Sequence, residues 1–313
     1  MHSNSLISIL VPVYNVEAYL PQCLDSLLGQ TDPHLQIVLI DDGSTDGSWR
    51  VMQEYAARDE RIEIYHQENQ GVGTTRNHLL EKIKGDYVLF VDSDDWVELD
   101  MVEFLVGKAS ENHADVVTCG NVINDALVSA QYTQKELSRA EAIERFLYHI
   151  EFRGSLWNKL VKTSLLHNCK FHCGISLGED ALFCWHFLQN VEKVLFTERQ
   201  LYHYRMNDSS ICHSTFGPKK LSAHYAWEQI CDETSRWWPQ YLPIANARCC
   251  ITNVLLLRDA IHSGYGNKND IKMLQNSIIE LLPPLFQVKN ITTYRMKCFA
   301  ILISCSYRLA RFF

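Results

Sequence analysis

The stretch Asp86–Asp95, DYVLFVDSDD, decides the fold, because an apolar run ends there abruptly in a group of acidic residues. A run of this length, bounded by polar residues, is typical of a buried β-strand. Two earlier apolar runs, Leu6–Val11 and Gln36–Ile40, are also followed by polar residues, Tyr14-Asn15 and Asp41-Asp42. The sequence therefore predicts three strands whose carboxyl ends all carry polar side chains.

Segments with helical periodicity separate these strands. The leucines of Glu17–Leu28 fall at helical spacing, and similar patterns predict helices at about Thr74–Ile83 and Asp100–Asn112. Strands that alternate with such helices indicate βαβ units, whose right-handed crossovers bring the strand ends to one edge of a sheet. The predicted fold class is therefore α/β, with a Rossmann-like, mostly parallel sheet flanked by helices and a helical C-terminal extension beyond Pro218.

Composition and charge exclude several classes of partner. The chain has 313 residues, enough for one large α/β domain with an appendage. Its net charge of −8 disfavours binding to phosphate backbones, so no nucleic-acid partner is expected. The eleven cysteines contain no CxxC pair, as is typical of reduced thiols in a cytoplasmic protein. No uninterrupted apolar stretch is long enough to span a membrane, so a cytoplasmic location is expected.

Asp92 and Asp94 form the first candidate site. Two carboxylates at alternate positions of a turn can face one divalent cation, and Mg²⁺ or Mn²⁺ takes its other oxygen ligands from a diphosphate. The cation would offset the charge that develops on a departing nucleoside diphosphate. A helix N-cap at Asp94 or Asp95 explains the same residues, so the motif alone leaves both interpretations open.

Other polar residues at the same predicted edge favour a nucleotide site. A carboxylate at Asp41 can accept a hydrogen bond from the N–H edge of a pyrimidine base, although Asp-Gly-Ser is also ordinary turn sequence. The ring of Tyr14 can stack on a base, and Arg76 offers donors to a diphosphate near the start of a helix. Each residue alone suits a structural role, but their meeting at one edge indicates ligand binding.

Five sequence segments carry a family resemblance. In chain order they are Val11–Asn15, Asp41–Asp46, Gly71–Asn77, Asp92–Asp95 and Gly178–Asp180. Together they resemble the inverting family 2 glycosyltransferases with a GT-A fold, most of all bacterial members that build capsule, exopolysaccharide or O-antigen repeats. The resemblance covers about residues 5–210. Thr74 and Thr75 depart from the pattern, since the family commonly has small residues before Arg-Asn.

The resemblance implies a role for each matching residue. The nucleotide-sugar donor, most of all a UDP-sugar, would be bound by Pro12, Val13, Tyr14, Glu17, Asp41, Arg76, Asp92 and Ser93. Asp94, together with Asp92, would hold Mn²⁺ or Mg²⁺. Residues 1–215 would form the GT-A domain, with the nucleotide-sugar half at about 1–120 and the acceptor half at about 121–215. Residues 216–313 would form a helical region.

The later residues are assigned to catalysis and to the acceptor. An inverting transfer needs a carboxylate that takes the proton of the acceptor hydroxyl, and Asp180 matches the family's base. A helix N-cap is compatible with the same residue. Trp157, Lys159 and Glu179 would border a saccharide or lipid-linked saccharide acceptor, with core packing as the alternative for Trp157.

Two residues near the end of the resemblance are weaker candidates. His203 and Arg205 would reach the diphosphate once a flexible loop closes. A structural role is the alternative for His203, because an isolated histidine is commonly a packed one. The sequence therefore leaves two roles open for these residues, a diphosphate contact and a structural role.

Two other functions can be compared with glycosyl transfer. A dinucleotide-dependent oxidoreductase would carry its Gly-rich fingerprint after the first strand, where Pro12 and Val13 stand instead. A non-catalytic nucleotide-sugar-binding or scaffold protein on the same fold is the alternative that stays open. The presence of Asp92, Asp94 and Asp180 argues against it.

The last part of the chain, residues 290–313, mixes apolar and basic residues. Such a segment can lie on an anionic membrane surface, which would suit a lipid-linked acceptor. It can equally form a helix that packs on its own domain or on a second subunit in a homo-oligomer. Both a peripheral membrane contact and a subunit contact are therefore expectations for this tail.

Overall fold

The computed structural model describes residues 5–124, 126, 131–206 and 215–308. Nine strands of this part of the chain form one sheet. They are β1 Ile7–Val13, β2 Leu35–Asp42, β3 Ile62–Gln67, β4 Tyr87–Phe90, β5 Trp96–Val97, β6 Val116–Ile123, β7 Gln134–Ser138, β8 Lys159–Lys162 and β9 Lys193–Tyr204. The described α-helices are α1 Leu20–Leu28, α2 Ser48–Ala56, α3 Val72–Leu80, α4 Met101–Asn112, α5 Arg139–Tyr148, α6 Glu179–Leu188, α7 Pro218–Trp237, α8 Leu242–His262, α9 Lys268–Gln287 and α10 Tyr294–Cys305.

The sheet is mostly parallel, as predicted. Its strand order is β3-β2-β1-β4-β8-β6-β9-β5, and β7 pairs with β9. β3, β2, β1 and β4 are parallel neighbours, and β8 is antiparallel to both β4 and β6. Asp41 lies opposite Val13 and Phe90 opposite Leu10, so the loops after β1, β2 and β4 leave the sheet at one edge. This edge, here named the loop edge, carries the predicted polar clusters.

Burial explains why the central strands are continuous apolar runs. Every residue of β2 is buried, and so is every residue of β1 except Pro12, because helices cover both faces of a parallel sheet. α1 adds Leu20, Leu24 and Leu27 to the same core. It has Pro21 in its first turn, where a missing N–H leaves no hydrogen bond unmade. Sheet and helix thus hold the loop edge on a rigid base.

The chain divides into two compact units. The first comprises Met1–Ala142, Ser155–Cys173 and His186–Asn207 and contains the sheet; the second comprises Ile143–Gly154, Gly174–Trp185 and Asp208–Phe313. The second unit has a core of its own, formed largely by α7 to α10. The predicted domain boundary at residue 215 stays a prediction; the longest segment of the second unit begins at Asp208. Two short earlier segments belong to the second unit, because residues such as Trp185 bond to α7 through Glu233 (2.9 Å).

β5 and β7 are two of the four strands, with β8 and β9, that were not expected from the sequence pattern. β5 has only two residues, and its pairing partner is the distant β9, where Trp96 lies opposite His203. β7 falls where the pattern weakens, and Leu137 is its single buried residue. Both strands exist through tertiary pairing with β9 rather than through local periodicity.

The C-terminal tail forms α10 in its described part. Phe299, Ala300 and Ile303 are buried in the core of the second unit, whereas Tyr294 is 79% exposed. Residues 309–313, which the membrane expectation included, lie outside the described residues. Among the described residues, no helix combines the length and the apolar content needed to cross a bilayer.

Candidate active site

The loops after β1 and β2 are joined by hydrogen bonds. The N–H of Asn15 donates to Ser44 Oγ (3.0 Å), and Asn15 Oδ1 accepts from the N–H of Thr45 (2.8 Å). Asn15 has a φ of +50°, which asparagine tolerates better than most residues. Glu17 accepts the N–H of Gly47 at the start of α2 (2.9 Å). Glu17, which was predicted to bind the donor, therefore links these two loops through a hydrogen bond.

The residues at the end of β1 differ in exposure. The side chain of Val13 is buried in the core, Pro12 is half-buried and Tyr14 is 49% exposed. A base-stacking residue must present a ring face, and of these three only Tyr14 does so. Val13 is thus placed as a core residue beneath the predicted nucleoside site.

Asp41 lies at the end of β2 with a fully buried carboxylate. It accepts a hydrogen bond from His66 Nδ1 (2.7 Å) and a longer one from the N–H of Ser44 (3.3 Å). A carboxylate has about four acceptor positions, so capacity for a further donor is left. His66 packs its ring near Trp49, with 5.3 Å between centroids.

Asp42 has a role that sequence reasoning did not assign. Its Oδ1 accepts from Gln67 Nε2 (2.7 Å) and from the N–H of Gln70 (2.9 Å), and its Oδ2 accepts from the N–H of Gly71 (2.9 Å). Gly71 has a φ of +87°, which glycine adopts without strain. Asp42 therefore fixes the loop that leads into α3. The sequence offered one indication of this role. Asp42 follows Asp41 directly, and successive side chains of a strand point to opposite faces of the sheet.

Arg76 and Asp92 form an ion pair at the loop edge. Arg76 is 5% exposed, and its guanidinium lies 3.1 Å from Asp92 Oδ1 and over the ring of Phe171. Its Nε is buried without a hydrogen-bond acceptor. The structure thus brings two predicted donor-site residues together. Arg76, which was expected beside the diphosphate, is the residue that pairs with Asp92.

The acid loop, residues 92–95, is anchored by a buried tyrosine of β9. The hydroxyl of Tyr202 donates to Asp95 Oδ2 (2.7 Å) and accepts from the N–H of Asp92 (3.1 Å). Asp95 Oδ1 also accepts the N–H of Arg205 (2.7 Å). Burial, followed by the charge of Asp92, raises the pKa of Asp95 to about 8. Ser93, predicted for the donor site, is buried within this loop.

Asp95 and Tyr202 were missed as site residues. The sequence showed an acidic run, but nothing in it indicated that the third carboxylate turns inward. Tyr202 lies 110 residues from the backbone N–H that it binds, so only the β5–β9 pairing reveals the contact.

Arg205 and His203 are bonded within the protein. The guanidinium of Arg205 lies between the rings of Trp96 (4.5 Å) and Tyr19 (5.0 Å), and its Nε donates to the carbonyl of Asp94 (2.7 Å). His203 stacks on Trp96, and its Nε2 lies 2.7 Å from Glu98 Oε1. Both residues are therefore placed as supports of the acid loop and β5; a diphosphate contact by either stays a prediction.

Trp157 and Lys159 belong to the same unit as the acid loop. Trp157 stacks on Tyr202, with 4.6 Å between centroids, and so lies behind the tyrosine that anchors the loop. Lys159 is 1% exposed, and its Nζ donates to the carbonyl of Ser155 and to Asn158 Oδ1 (2.7 Å). The packing interpretation of Trp157 thus has a structural basis, and their acceptor-side role stays a prediction.

Glu179 and Asp180 open α6 in the second unit. Gly178 precedes them with a φ of +91°, and a Cβ there would lie 3.1 Å from the Cβ of Ala226 on α7, so both backbone and space require glycine. Glu179 is buried and Asp180 is half-buried in the first turn, where the helix dipole stabilises carboxylates. The base role of Asp180 stays a prediction.

The acid loop suits a divalent cation in ligand type and in charge. Asp92 and Asp94 are partly exposed, and after burial itself the charges of the three loop aspartates raise the pKa of the Cys23 thiol beneath them. Within the described ranges, no group of three or more His, Cys, Asp or Glu side chains is arranged as a metal centre. A cation held by Asp92 and Asp94 would therefore draw further ligands from water or a bound diphosphate.

Comparison with known proteins decides the family. The family model described as "Glycosyl transferase family 2" matches residues 8–174, which is more than half of the chain. The chain belongs to this family. All of the described acid loop, the Arg76–Asp92 pair and Asp41 lie within the matched residues, whereas Glu179 and Asp180 follow them.

Two relatives of this family 2 member come from bacteria. The glycosyltransferase GlyA of Streptococcus pneumoniae is 37% identical over 218 residues, which are 66% of this chain and 31% of GlyA. The putative glycosyltransferase EpsH of Bacillus subtilis is 34% identical over 218 residues, 66% of this chain and 62% of EpsH. The chain thus spans about a third of the length of GlyA and less than two thirds of the length of EpsH.

A solved structure shares the fold over nearly the whole chain. Residues 1–349 of S. aureus TarS, crystallised in complex with UDP-GlcNAc, match with a TM-score of 0.72 and 19% identity over 97% of this chain and 89% of that one. The family and this likeness confirm the predicted GT-A fold class with its helical C-terminal extension.

Proposed function

We propose that this chain is an inverting glycosyltransferase that moves a sugar from a nucleotide-sugar, a UDP-sugar above all, to an acceptor hydroxyl of a cell-surface polysaccharide or lipid-linked oligosaccharide. The observation that carries the proposal is the acid loop, paired with Arg76 at the loop edge of a family 2 domain. Acidic groups and a buried guanidinium at one edge suit a cation-bound diphosphate.

On the donor side, this proposal gives each residue one task. Asp41 accepts from the base, and the exposed ring of Tyr14 stacks on it. Asp94 and Asp92 hold Mn²⁺ or Mg²⁺, which supplies charge stabilisation to the departing diphosphate when bound. Arg76 keeps Asp92 in place and adds positive charge at the same edge.

On the acceptor side, Asp180 takes the proton of the attacking hydroxyl. The anomeric carbon exchanges its bond to the nucleoside diphosphate for a bond to that oxygen in one displacement, so no protein nucleophile is needed. Glu179 precedes the base in the same helical turn. Trp157 and Lys159 border the acceptor rather than carry charge in the reaction.

Location and partners belong to the same proposal. We expect the chain to act in the cytoplasm, where its tail would provide a peripheral membrane contact or a homo-oligomer contact. Membrane sedimentation of the full chain and of a variant lacking residues 290–313 measures this directly. Unchanged sedimentation of the shortened chain would exclude the membrane role.

The test is release of UDP from a panel of UDP-sugars with Mn²⁺, with water as acceptor. Asp94→Ala and Asp180→Ala are compared with the wild type and with Asp232→Ala, an exposed aspartate of α7, as the matched control. Loss of a general base costs about 10²–10⁴ in rate, so turnover should fall at least about 100-fold in the first two variants. Binding of UDP-sugars by the wild type without any turnover would favour the scaffold alternative.

A further inference from the structure

Arg248 of α8 is a half-buried cation that has no carboxylate partner among the described residues. Its Nε is buried and has no hydrogen-bond acceptor. Two other arginines share this feature, but both lie against a carboxylate: Arg76 against Asp92 (3.1 Å) and Arg145 against Glu151 (3.3 Å). Arg248 has no such carboxylate in the described part of the chain. Buried charges are normally paired, so this one calls for an explanation.

A second cation lies close to Arg248. Burial, followed by the positive charge of Arg153, lowers the pKa of Arg248 to about 10. Arg153 itself is exposed and likewise has no carboxylate partner within the described ranges. The guanidinium of Arg248 lies over the ring of Trp227, 5.8 Å from its centroid, which fixes its plane but supplies no acceptor. The arginine pair, Arg153 and Arg248, thus concentrates positive charge within the second unit.

This arrangement is unfavourable for the protein alone. Two like charges repel, and burial removes water from one of them. A methionine of similar size at position 248 would avoid both costs and still pack on Trp227. A half-buried arginine whose Nε is buried without an acceptor is therefore better explained by an anion that arrives from outside than by fold stability.

The chain around Arg153 abuts the helix that carries the proposed base. A Cβ on Gly154 would lie 2.7 Å from the Cβ of Ala181, so the backbone next to Arg153 touches the first turn of α6 directly. Glu179 and Asp180 stand in that turn. All of these residues belong to the second unit.

We propose that Arg153 and Arg248 bind a phosphate group, and that this group belongs to the acceptor. The planar guanidinium matches two oxygens of a tetrahedral oxyanion, and a pair of them matches its double charge better than that of a single carboxylate. The acceptor assignment rests on the proposed function, since it uses the neighbourhood of Asp180. The acceptor class is then a phosphorylated saccharide or polyol, or a lipid-linked phosphate.

The test measures binding of glycerol 3-phosphate to the full chain by calorimetry. Arg248→Gln and Arg153→Gln are compared with the wild type and with Arg236→Gln, which removes an arginine of α7 that is already paired with Asp232. We expect affinity to fall about tenfold or more in the first two variants and to stay unchanged in the third. Equal affinity in all four proteins, or no binding by the wild type, would overturn the site.

Vesicles of phosphatidylcholine with and without phosphatidylglycerol distinguish the source of the phosphate. Binding to the anionic vesicles that depends on both arginines assigns a lipid phosphate, whereas binding of glycerol 3-phosphate alone assigns a soluble one. Thermal unfolding supplies a second measurement. Arg248→Met should unfold at the same or a higher temperature than the wild type; a clear decrease would make Arg248 a structural residue and contradict the proposal.

The outcomes separate this site from the proposed function. UDP release by the wild type with Mn²⁺ and water is measured in parallel, because this reaction needs no acceptor phosphate. Arginine-dependent phosphate binding by a protein that never releases UDP would refute the transferase and keep the anion site. UDP release without phosphate binding would do the reverse.

Discussion

The acid loop and the arginine pair treat charge in opposite ways. In the acid loop, Asp92 is paired with Arg76, and Asp95 accepts hydrogen bonds from Tyr202 and Arg205. In the arginine pair, neither guanidinium has a carboxylate within the described residues, and the Nε of Arg248 has no acceptor. The first centre is built to hold its shape without a ligand, whereas the second is incomplete on its own.

The difference teaches where binding energy is available. A preorganised carboxylate loop loses little when a cation arrives, because its backbone and second-layer contacts are already made. An unpaired guanidinium gains its full partner only on binding, so it can contribute more per contact at the cost of stability in the free protein. Substitutions that remove one group from each centre should therefore have opposite signs.

The largest expected effect is on stability. Arg76→Met removes the partner of Asp92 and should lower the free energy of unfolding by about 2 to 3 kcal/mol, because a partly buried carboxylate loses its counter-charge. Arg248→Met, the same change in the other centre, should leave it unchanged or raise it. Urea unfolding of both variants measures the contrast. Equal destabilisation by the two substitutions would erase the distinction between the centres.

An intermediate effect is expected for the anchor of the acid loop. Tyr202→Phe removes the hydroxyl that joins Asp92 and Asp95, and loss of such a supporting hydrogen bond typically weakens metal affinity by about 10- to 100-fold. Mn²⁺ binding in the presence of saturating UDP, followed by electron paramagnetic resonance, measures the change without turnover.

The matched control for Tyr202 is Tyr55→Phe. Tyr55 also donates to a carboxylate, Asp25 Oδ1 (2.8 Å), but far along the chain from the acid loop. This variant should lose some stability and keep its Mn²⁺ affinity. If both tyrosine variants bind Mn²⁺ as the wild type does, the loop is not positioned by Tyr202.

The smallest effect is expected for an ordinary ion pair outside both centres, which serves as their reference. Arg61 binds Asp59 (2.8 Å) and holds the pKa of that carboxyl below its usual value. A lowered pKa in the folded state stabilises the protein above the unfolded-state pKa of about 4, and this contribution is lost as the pH falls through the folded-state pKa. Asp59→Asn should cost below about 1 kcal/mol at neutral pH.

The pH dependence of that variant is its check. Urea unfolding at neutral pH and at a pH below the folded-state pKa of Asp59 should show the difference from the wild type only at neutral pH. A difference that persists at low pH would mean that the side chain acts through its shape rather than its charge. The ordinary pair then could not serve as a reference for either centre.

Local pattern was sufficient for the elements that build the loop edge. The predicted strands Leu6–Val11 and Gln36–Ile40 lie within or nearly within β1 and β2, and Asp86–Val91 contains β4. Apolar runs and helical leucine spacing report on burial by near neighbours, which is why they succeeded here. The meeting of Asp41 with the acid-loop edge followed from the crossover rule rather than from any contact in the sequence.

Pairing over long sequence distances was not predictable in the same way. β5 and β7 depend on β9, and the hydroxyl of Tyr202 reaches a loop 107 to 110 residues away. Arg205 was expected at a diphosphate, yet its Nε is bonded to the carbonyl of Asp94. A side chain's charge is visible in a sequence, but its partner is chosen by packing.

By itself the sequence determined the α/β alternation, the acidic ends of the strands and the family motifs, because each of these is written in residues close together in the chain. The tertiary structure alone decided that Asp95 turns inward and that Tyr202 anchors the acid loop. It also decided that the Nε of Arg248 is buried without a hydrogen-bond acceptor, and that no carboxylate among the described residues pairs with this arginine. Burial and partnership are properties of three-dimensional neighbours, and they determine whether a charged side chain supports the fold or is available to a ligand.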